Sequence, residues 1–253
     1  MKNEAAIFVL AVQFLTRLPV PAATLYTPER LTAAVRYYPL VGLLIGSICA
    51  GMFWVLGLVF PTFLALILSM AIGILVTGAF HEDGLADTFD GIGGGQSRDQ
   101  ALSIMRDSRV GTYGALALIL ALLTKFAGLI ALPAGSVILA LILAHSLSRL
   151  SSVIVIATSN YARTDGKAKP VAEGVTATSM IVGLMTGLVS LAIASTMLPA
   201  FALAAGLGGA AVGHVGMRLL FERKIGGYTG DTLGAVQQTS EIGFYLGLVA
   251  CLS

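Results

Sequence analysis

Long apolar runs separated by short polar connections dominate the pattern of this chain. Seven stretches match the about 20 mostly apolar residues that a bilayer-crossing helix needs. They are Pro39–Phe60, Pro61–Phe80, Gly111–Leu132, Ser136–Thr158, Val175–Leu198, Pro199–Leu219 and Thr232–Leu252. Lipid offers no partner to a free backbone N–H or C=O, so each run is expected to be helical. An eighth stretch, Ala5–Leu18, is shorter and carries Gln13 and Arg17 four apart, on one helical face. It reads as an interfacial or re-entrant helix. The expected fold is all-α: a polytopic membrane helical bundle of about seven transmembrane helices plus this N-terminal helix. A single integral membrane domain over residues 1–253 is expected, with no fixed-period repeat and no low-complexity linker.

The connections alternate in character. Pro61, Pro133 to Gly135 and Pro199 mark short uncharged turns. The others hold nearly every basic residue: Lys2, Arg17, Arg30 and Arg36; Arg98, Arg106 and Arg109; Arg163, Lys167 and Lys169; Arg218, Arg223 and Lys224. The positive-inside rule puts these four on the cytoplasmic side, giving three helical hairpins and a last helix that ends outside. This implies a multi-pass membrane protein with its polar face in the cytoplasm.

Composition agrees. Of 253 residues, 57% are hydrophobic and 11% charged, under half the about 25% charged of a soluble domain. Too few charges remain to solvate a water-facing surface, and the mean hydropathy is +0.90. A net charge of +2 gives no footprint for nucleic acid. Cys49 and Cys251 sit within apolar runs, at no metal or disulfide spacing, and read as small hydrophobes. Ala5–Val12 resembles the apolar core of a signal peptide, with Pro21-Ala22-Ala23 as a cleavage region. Glu4 beside Lys2, and Arg17 further on, argue for an uncleaved segment.

The exception to the apolar pattern is His81-Glu82-Asp83-Gly84-Leu85-Ala86-Asp87-Thr88-Phe89-Asp90-Gly91. Glu82, Asp83, Asp87, Asp90, Asp99 and Asp107 make up six of the chain's 13 acidic residues. If the helix continues through this segment at about 100° per residue, Asp83, Asp87 and Asp90 share a sector of about 60°. Leu85, Phe89 and Ile92 face the other way, and Glu82 is offset toward Phe89. Three carboxylates converging at a membrane edge suit Mg²⁺ or Mn²⁺, which accept a few carboxylates, water and phosphate oxygens. The bland alternative is a solvated acidic face. Glycines from Gly91 to Gly95 then break the helix, and Ser97-Arg98-Asp99-Gln100 reads as a capping box opening another. Arg106 and Arg109 follow as candidate phosphate ligands, since guanidinium grips phosphate in two places; charge balance or headgroup anchoring is their alternative. Asp107 reads equally as a further ligand or as an arginine's partner.

A second stretch, Lys224-Ile225-Gly226-Gly227-Tyr228-Thr229-Gly230-Asp231-Thr232-Leu233-Gly234, can bring backbone amides to an anion. Gly227, Thr229, Gly230 and Asp231 are its candidate binding residues. It lacks the Gly-Lys-Ser/Thr ending of a Walker A loop, and the plain alternative is a turn capped by Thr229 or Asp231. Within the apolar runs lie Lys125, His145, Arg149, Gln237, Gln238 and Glu241. Such groups face a cavity or a partner: Arg149 is placed to reach substrate phosphate, and Lys125 with Glu241 reads equally as a structural pair. Aspartates, arginines and a glycine loop on one membrane face point to phosphoryl-type transfer, with an aspartate as base.

These residues carry a resemblance. The chain resembles the cobalamin synthase (adenosylcobinamide-GDP ribazoletransferase) family in Phe14-Leu15-Thr16-Arg17-Leu18-Pro19-Val20-Pro21, Tyr38-Pro39-Leu40-Val41-Gly42, and His81 with Asp83 to Gly91. The likeness continues through Met105 to Thr112, Ser148-Arg149 and Gly226 to Ala235. Glu82 lies outside the pattern. The resemblance implies a bacterial or archaeal Mg²⁺-dependent membrane enzyme, in a bacterium one of the inner membrane, that joins adenosylcobinamide-GDP to α-ribazole or its 5′-phosphate and releases GMP. It implies metal and diphosphate on Asp83, Asp87 and Asp90, and phosphate oxygens on Arg106, Arg109 and Arg149. The Gly226–Gly234 loop with Asp231 would close the site. An oligomer is left open.

Two rivals share part of this logic. A CDP-alcohol phosphotransferase uses an Asp-Gly, Ala-Arg motif with further aspartates, but Asp87 stands where its arginine is expected. A prenyltransferase with aspartate-rich motifs is a weaker version of the same idea. A cation transporter would place its acidic groups near mid-bilayer on broken helices, whereas this cluster lies at a helix end beside arginines.

Overall fold

The computed structural model describes residues 2–21, 26–163 and 175–252. Lys167 and Lys169 of the third basic connection, and Ala22 and Ala23 of the signal-like segment, lie outside them. The described residues form helices α1 (Lys2–Leu15), α2 (Pro28–Ala34), α3 (Tyr38–Gly57), α4 (Thr62–Thr77) and α5 (Phe80–Gly94). After these come α6 (Arg98–Ile104), α7 (Thr112–Ala131), α8 (Ala134–Thr158), α9 (Ala177–Ala194), α10 (Ala200–Ile225) and α11 (Gly230–Leu252). A 3₁₀ turn, Val35–Tyr37, joins α2 to α3. The one β-type pairing among the described residues is an isolated bridge between Tyr161 and Tyr228. The all-α expectation holds.

Close backbone approaches fix how the helices run. Gly42 packs on His145 and Gly46 on Ile142, so α3 and α8 are antiparallel. Gly183 faces the side chain of Leu150, and Gly187 those of Leu150 and Leu147, so α9 runs antiparallel to α8. Gly209 meets Gly243 and Gly213 meets Thr239, so α10 and α11 are antiparallel as well. Pro61, Pro133 and Pro199 therefore turn the chain at one end of the bundle. The acidic segment and the connections around Arg163 and Gly226 gather at the other.

Among the described residues five helical segments are long and apolar enough to cross a bilayer, or six if the bent pair α4–α5 counts as one span. The chain is a multi-pass membrane protein by this measure, and its outer surface agrees. Trp54, Leu58, Val59, Leu75, Leu120, Leu123, Ile193 and Val212 are all exposed, an apolar coat that suits lipid. The count of seven is not reached, for two reasons. α11 has 23 residues, but Gln237, Gln238 and Glu241 lower its apolarity, and all three are buried against neighbouring helices. α4 ends at Thr77, and the chain then turns by 86° into α5. The acidic helix is thus not the straight continuation that the sequence suggested. Gly78 and Ala79 both adopt left-handed backbone, with φ of 65° and 57°. Glycine does so freely, whereas alanine is strained there. α1, with 14 residues, is about 21 Å long, short of the about 30 Å hydrocarbon core.

Many of the polar groups inside the bundle are paired, although Ser146 Oγ, Arg149 Nε and Gln238 Oε1 are buried without a hydrogen-bond partner. Lys125 Nζ lies 2.8 Å from Glu241 Oε1. Gln237 donates to Glu241 at 2.6 Å and to Ser148 at 2.8 Å. The Tyr245 hydroxyl donates to Glu241 at 3.2 Å. Lys125 and Glu241 are thus the structural ion pair that was one of the two sequence alternatives. Arg149 is 2% exposed and donates to the His145 carbonyl at 2.9 Å.

Candidate active site

The site is built where α5 crosses α11. Both helices carry a glycine at the crossing, so their backbones touch. A Cβ added at Gly84 would lie 2.6 Å from the Asp231 carbonyl oxygen, and one at Gly234 would lie 2.9 Å from that of His81. This brings the acidic helix and Asp231, at the start of α11, into one patch. Asp83 is exposed and Asp87 partly exposed on the outer side of α5.

Asp87 records the crowding. Its carboxyl is pushed up to about 7, first by burial, then by Asp83, Asp231 and Asp90, with Arg163 pulling the other way. Asp231 is also raised by burial, and its Arg163 partner opposes the shift. Two carboxylates one helical turn apart, with excess negative charge around them, fit a hard divalent cation. Among the described residues no three His, Cys, Asp or Glu side chains are grouped to hold a metal.

Asp90 has other partners. It is buried, and its Oδ2 accepts from Gly111 N–H at 2.7 Å and its Oδ1 from Gly114 N–H at 2.8 Å. It supplies from a neighbouring helix the cap that Gly111 has no side chain to give α7. Asp83, Asp87 and Asp90 thus share a helix, but Asp90 holds α7 in place. Glu82 turns away from the aspartates, accepts from Gln238 at 2.9 Å, and lines an inner cavity with Arg149 and Glu241. The helical phase read from sequence had set it apart in this way.

The arginines separate likewise. Arg109 is highly exposed and folds onto Asp107, with Nη2 2.6 Å from Oδ2. That contact holds Asp107 down to about 2, so Asp107 is the arginine's partner. Arg106 is exposed in the turn after α6. Arg149 lies inside the bundle on His145, in the inner cavity with Glu82 and Glu241. The glycine loop mostly serves the fold. Gly227 approaches the Asn160 carbonyl closely, and the fully buried Thr229 caps α11 by accepting from Thr232 N–H at 3.3 Å. Gly230 lines a small apolar cavity with Tyr38, His81 and Arg149. The predicted cap of α6 is present: Ser97 Oγ accepts from Gln100 N–H at 3.3 Å, and Gln100 accepts from Gln96 N–H at 2.8 Å.

The sequence pattern missed Arg163, which donates to Asp231 Oδ2 at 2.7 Å. It also missed Arg98, which reaches the carbonyls of Ile225 at 3.0 Å and Ala162 at 2.6 Å and ties three connections together. Arg163 had been read only as a topology marker, and Arg98 as that and as a member of the capping-box segment. Their contacts lie 68 and up to 127 residues away in sequence, and no local spacing announces them.

The family model for cobalamin-5-phosphate synthase matches residues 7–249. The chain belongs to that family. Relatives include proteins named adenosylcobinamide-GDP ribazoletransferase from Shewanella woodyi and Shewanella frigidimarina, each 43% identical. The alignments cover 98% of this chain and 97% and 95% of those relatives. The protein of the same name from Leptothrix cholodnii is 44% identical over 98% of this chain and 96% of its own length. No solved structure matches the chain. For a cobalamin-5-phosphate synthase family member, the Gly84–Asp231 crossing joins two segments quoted for the resemblance, Asp83 to Gly91 and Gly226 to Ala235, into one patch.

Proposed function

We propose that this chain transfers the cobinamide phosphate of adenosylcobinamide-GDP to a ribose hydroxyl of α-ribazole or its 5′-phosphate, from the cytoplasmic side of a bacterial inner membrane. In this reaction the hydroxyl oxygen forms a bond to the cobinamide-side phosphorus. The bond from that phosphorus to the bridging oxygen breaks, GMP leaves with the electron pair, and the hydroxyl proton passes to a carboxylate or to water. The observation that carries the reading is the crossing of α5 over α11, which holds Asp83 and Asp87 beside Asp231 at the charged end of the bundle.

Asp83 and Asp87 would hold Mg²⁺, which would neutralise diphosphate oxygens and favour departure of GMP. In the metal-free protein burial and the neighbouring carboxylates raise Asp87 to about 7; a carboxylate of this patch that is not bonded to the metal would take the proton of the incoming hydroxyl. Asp90 sets the position of α7, and Arg109, in the connection before α7, would have to leave Asp107 to reach a phosphate oxygen. Arg149, beneath α5, supports the site from within.

The cytoplasmic assignment rests on the basic residues gathered at the same end as the aspartates. The test is GMP release by purified protein in nanodiscs, supplied with adenosylcobinamide-GDP and α-ribazole 5′-phosphate, with and without Mg²⁺. Equimolar GMP and cobalamin phosphate only when Mg²⁺ is present is the expected result. Absence of GMP under every condition would defeat the reading.

A further inference from the structure

We propose that Arg163 is a substrate-binding residue of this site: its guanidinium guards Asp231 in the empty protein and grips the diphosphate when substrate arrives. This rests on the function proposed above and names the side chain that would hold the donor's phosphates.

The backbone around Arg163 is fixed. Ala162 N–H donates to the Tyr228 carbonyl at 2.8 Å, and Tyr228 N–H donates to the Asn160 carbonyl at 2.8 Å. Arg98 clamps the Ala162 carbonyl at 2.6 Å. Beyond this anchor the side chain is 12% exposed and meets Asp231 at 2.7 Å through Nη2. Its Nε is buried with no hydrogen-bond partner. A buried guanidinium N–H without an acceptor is costly. An oxygen-rich ligand in the acidic patch would supply one.

Three other arginines have different commitments. Arg98 is used on two carbonyls and Arg109 is folded onto Asp107. Arg149 also has a buried Nε without an acceptor, but it lies on His145 inside the bundle, in the inner cavity with Glu82 and Glu241. Arg163 is the arginine whose charge acts on Asp87 and Asp231 together. One guanidinium charge does not balance Asp83, Asp87 and Asp231. The patch therefore keeps an excess of negative charge that a divalent cation would offset, and that cation would weaken the hold of Asp231 on Arg163. The planar guanidinium carries five donors in a fixed fork, so it can keep one on Asp231 and aim others at diphosphate oxygens.

Two simple probes separate this role from a structural one. Mn²⁺ alone, followed by electron paramagnetic resonance, reports on the carboxylates. Inorganic diphosphate, titrated calorimetrically with and without Mn²⁺, reports on the phosphate grip. In Arg163→Gln we expect Mn²⁺ alone to bind several-fold more tightly, because the competing cation is gone. Diphosphate should bind about 10-fold to 100-fold more weakly, as expected for loss of a charge-assisted hydrogen bond. Arg163→Lys should leave Mn²⁺ binding near wild type and show an intermediate loss for diphosphate. Unchanged diphosphate affinity in Arg163→Gln would overturn the proposal, as would Mn²⁺ and diphosphate weakening together. If the wild type binds no Mn²⁺, the metal part of the proposed function fails. The metal-free diphosphate titration still decides the role of Arg163.

Discussion

Replacing Gly84 by alanine tests whether the helix crossing creates the site. On helix propensity alone the change is favourable by about 1 kcal/mol. At the crossing it is not. The new Cβ would lie 2.6 Å from the Asp231 carbonyl oxygen and 3.2 Å from its Cα, both rigid backbone, where ordinary contact begins at 3.4 Å. The helices must part by about 0.8 Å, and overpacking of this kind costs about 1–3 kcal/mol. Propensity and overpacking partly cancel, so stability should move little. Activity should not escape, because a displacement near 1 Å between groups that hold a reacting centre costs about 100-fold in rate. The assay is kcat for GMP release beside the melting temperature in detergent. Gly94→Ala is the control, since its nearest neighbour would be the flexible tip of Ile104 at 3.4 Å. Gly84→Ala with wild-type kcat would refute the reasoning.

Asp90→Ala removes the acceptors for Gly111 and Gly114 N–H; a melting curve should show a loss of about 0.5–2 kcal/mol. Lys125→Met leaves Glu241 buried without its cation, costing about 3–5 kcal/mol. Adding Glu241→Gln should restore most of the melting temperature, and failure of that rescue would argue against the pair as the cause. Asp87 binds its proton more tightly in the folded protein, about 7 against an ordinary 3.8. The metal-free protein should therefore lose stability as pH rises from about 4 to about 7, with this contribution flat above that. Because Mg²⁺ competes with that proton, its stabilising effect on the melting temperature should be larger at pH 8 than at pH 6.

The helices were legible in the sequence because lipid leaves the backbone no alternative, and long apolar runs announce that constraint. The offset of Glu82 was legible for a similar reason: helical phase is local, and residues 82–90 form one helix. Three features were not. The break at Gly78 and Ala79 needs two left-handed residues in succession, and nothing in the type of Ala79 signals such a conformation. The capping of α7 by Asp90 joins residues 21 and 24 apart, so its carboxylate looked as available as those of Asp83 and Asp87. Arg163 became part of the site only when Tyr161 paired with Tyr228. Gly84 is the instructive case: it is a poor helix former between acidic residues, and its cause is a helix from the other end of the chain.

The most direct test of the account is single-turnover transfer from adenosylcobinamide-GDP to α-ribazole 5′-phosphate by Asp87→Asn in nanodiscs with saturating Mg²⁺, beside the wild type. Asparagine keeps the shape and removes the charge. We expect GMP formation to fall by a factor on the order of 1,000, within the range seen when one charge-stabilising group is removed from an active site, with the melting temperature at or above that of the wild type. Transfer at the wild-type rate by Asp87→Asn would contradict the assignment of the acidic helix as the chemical centre.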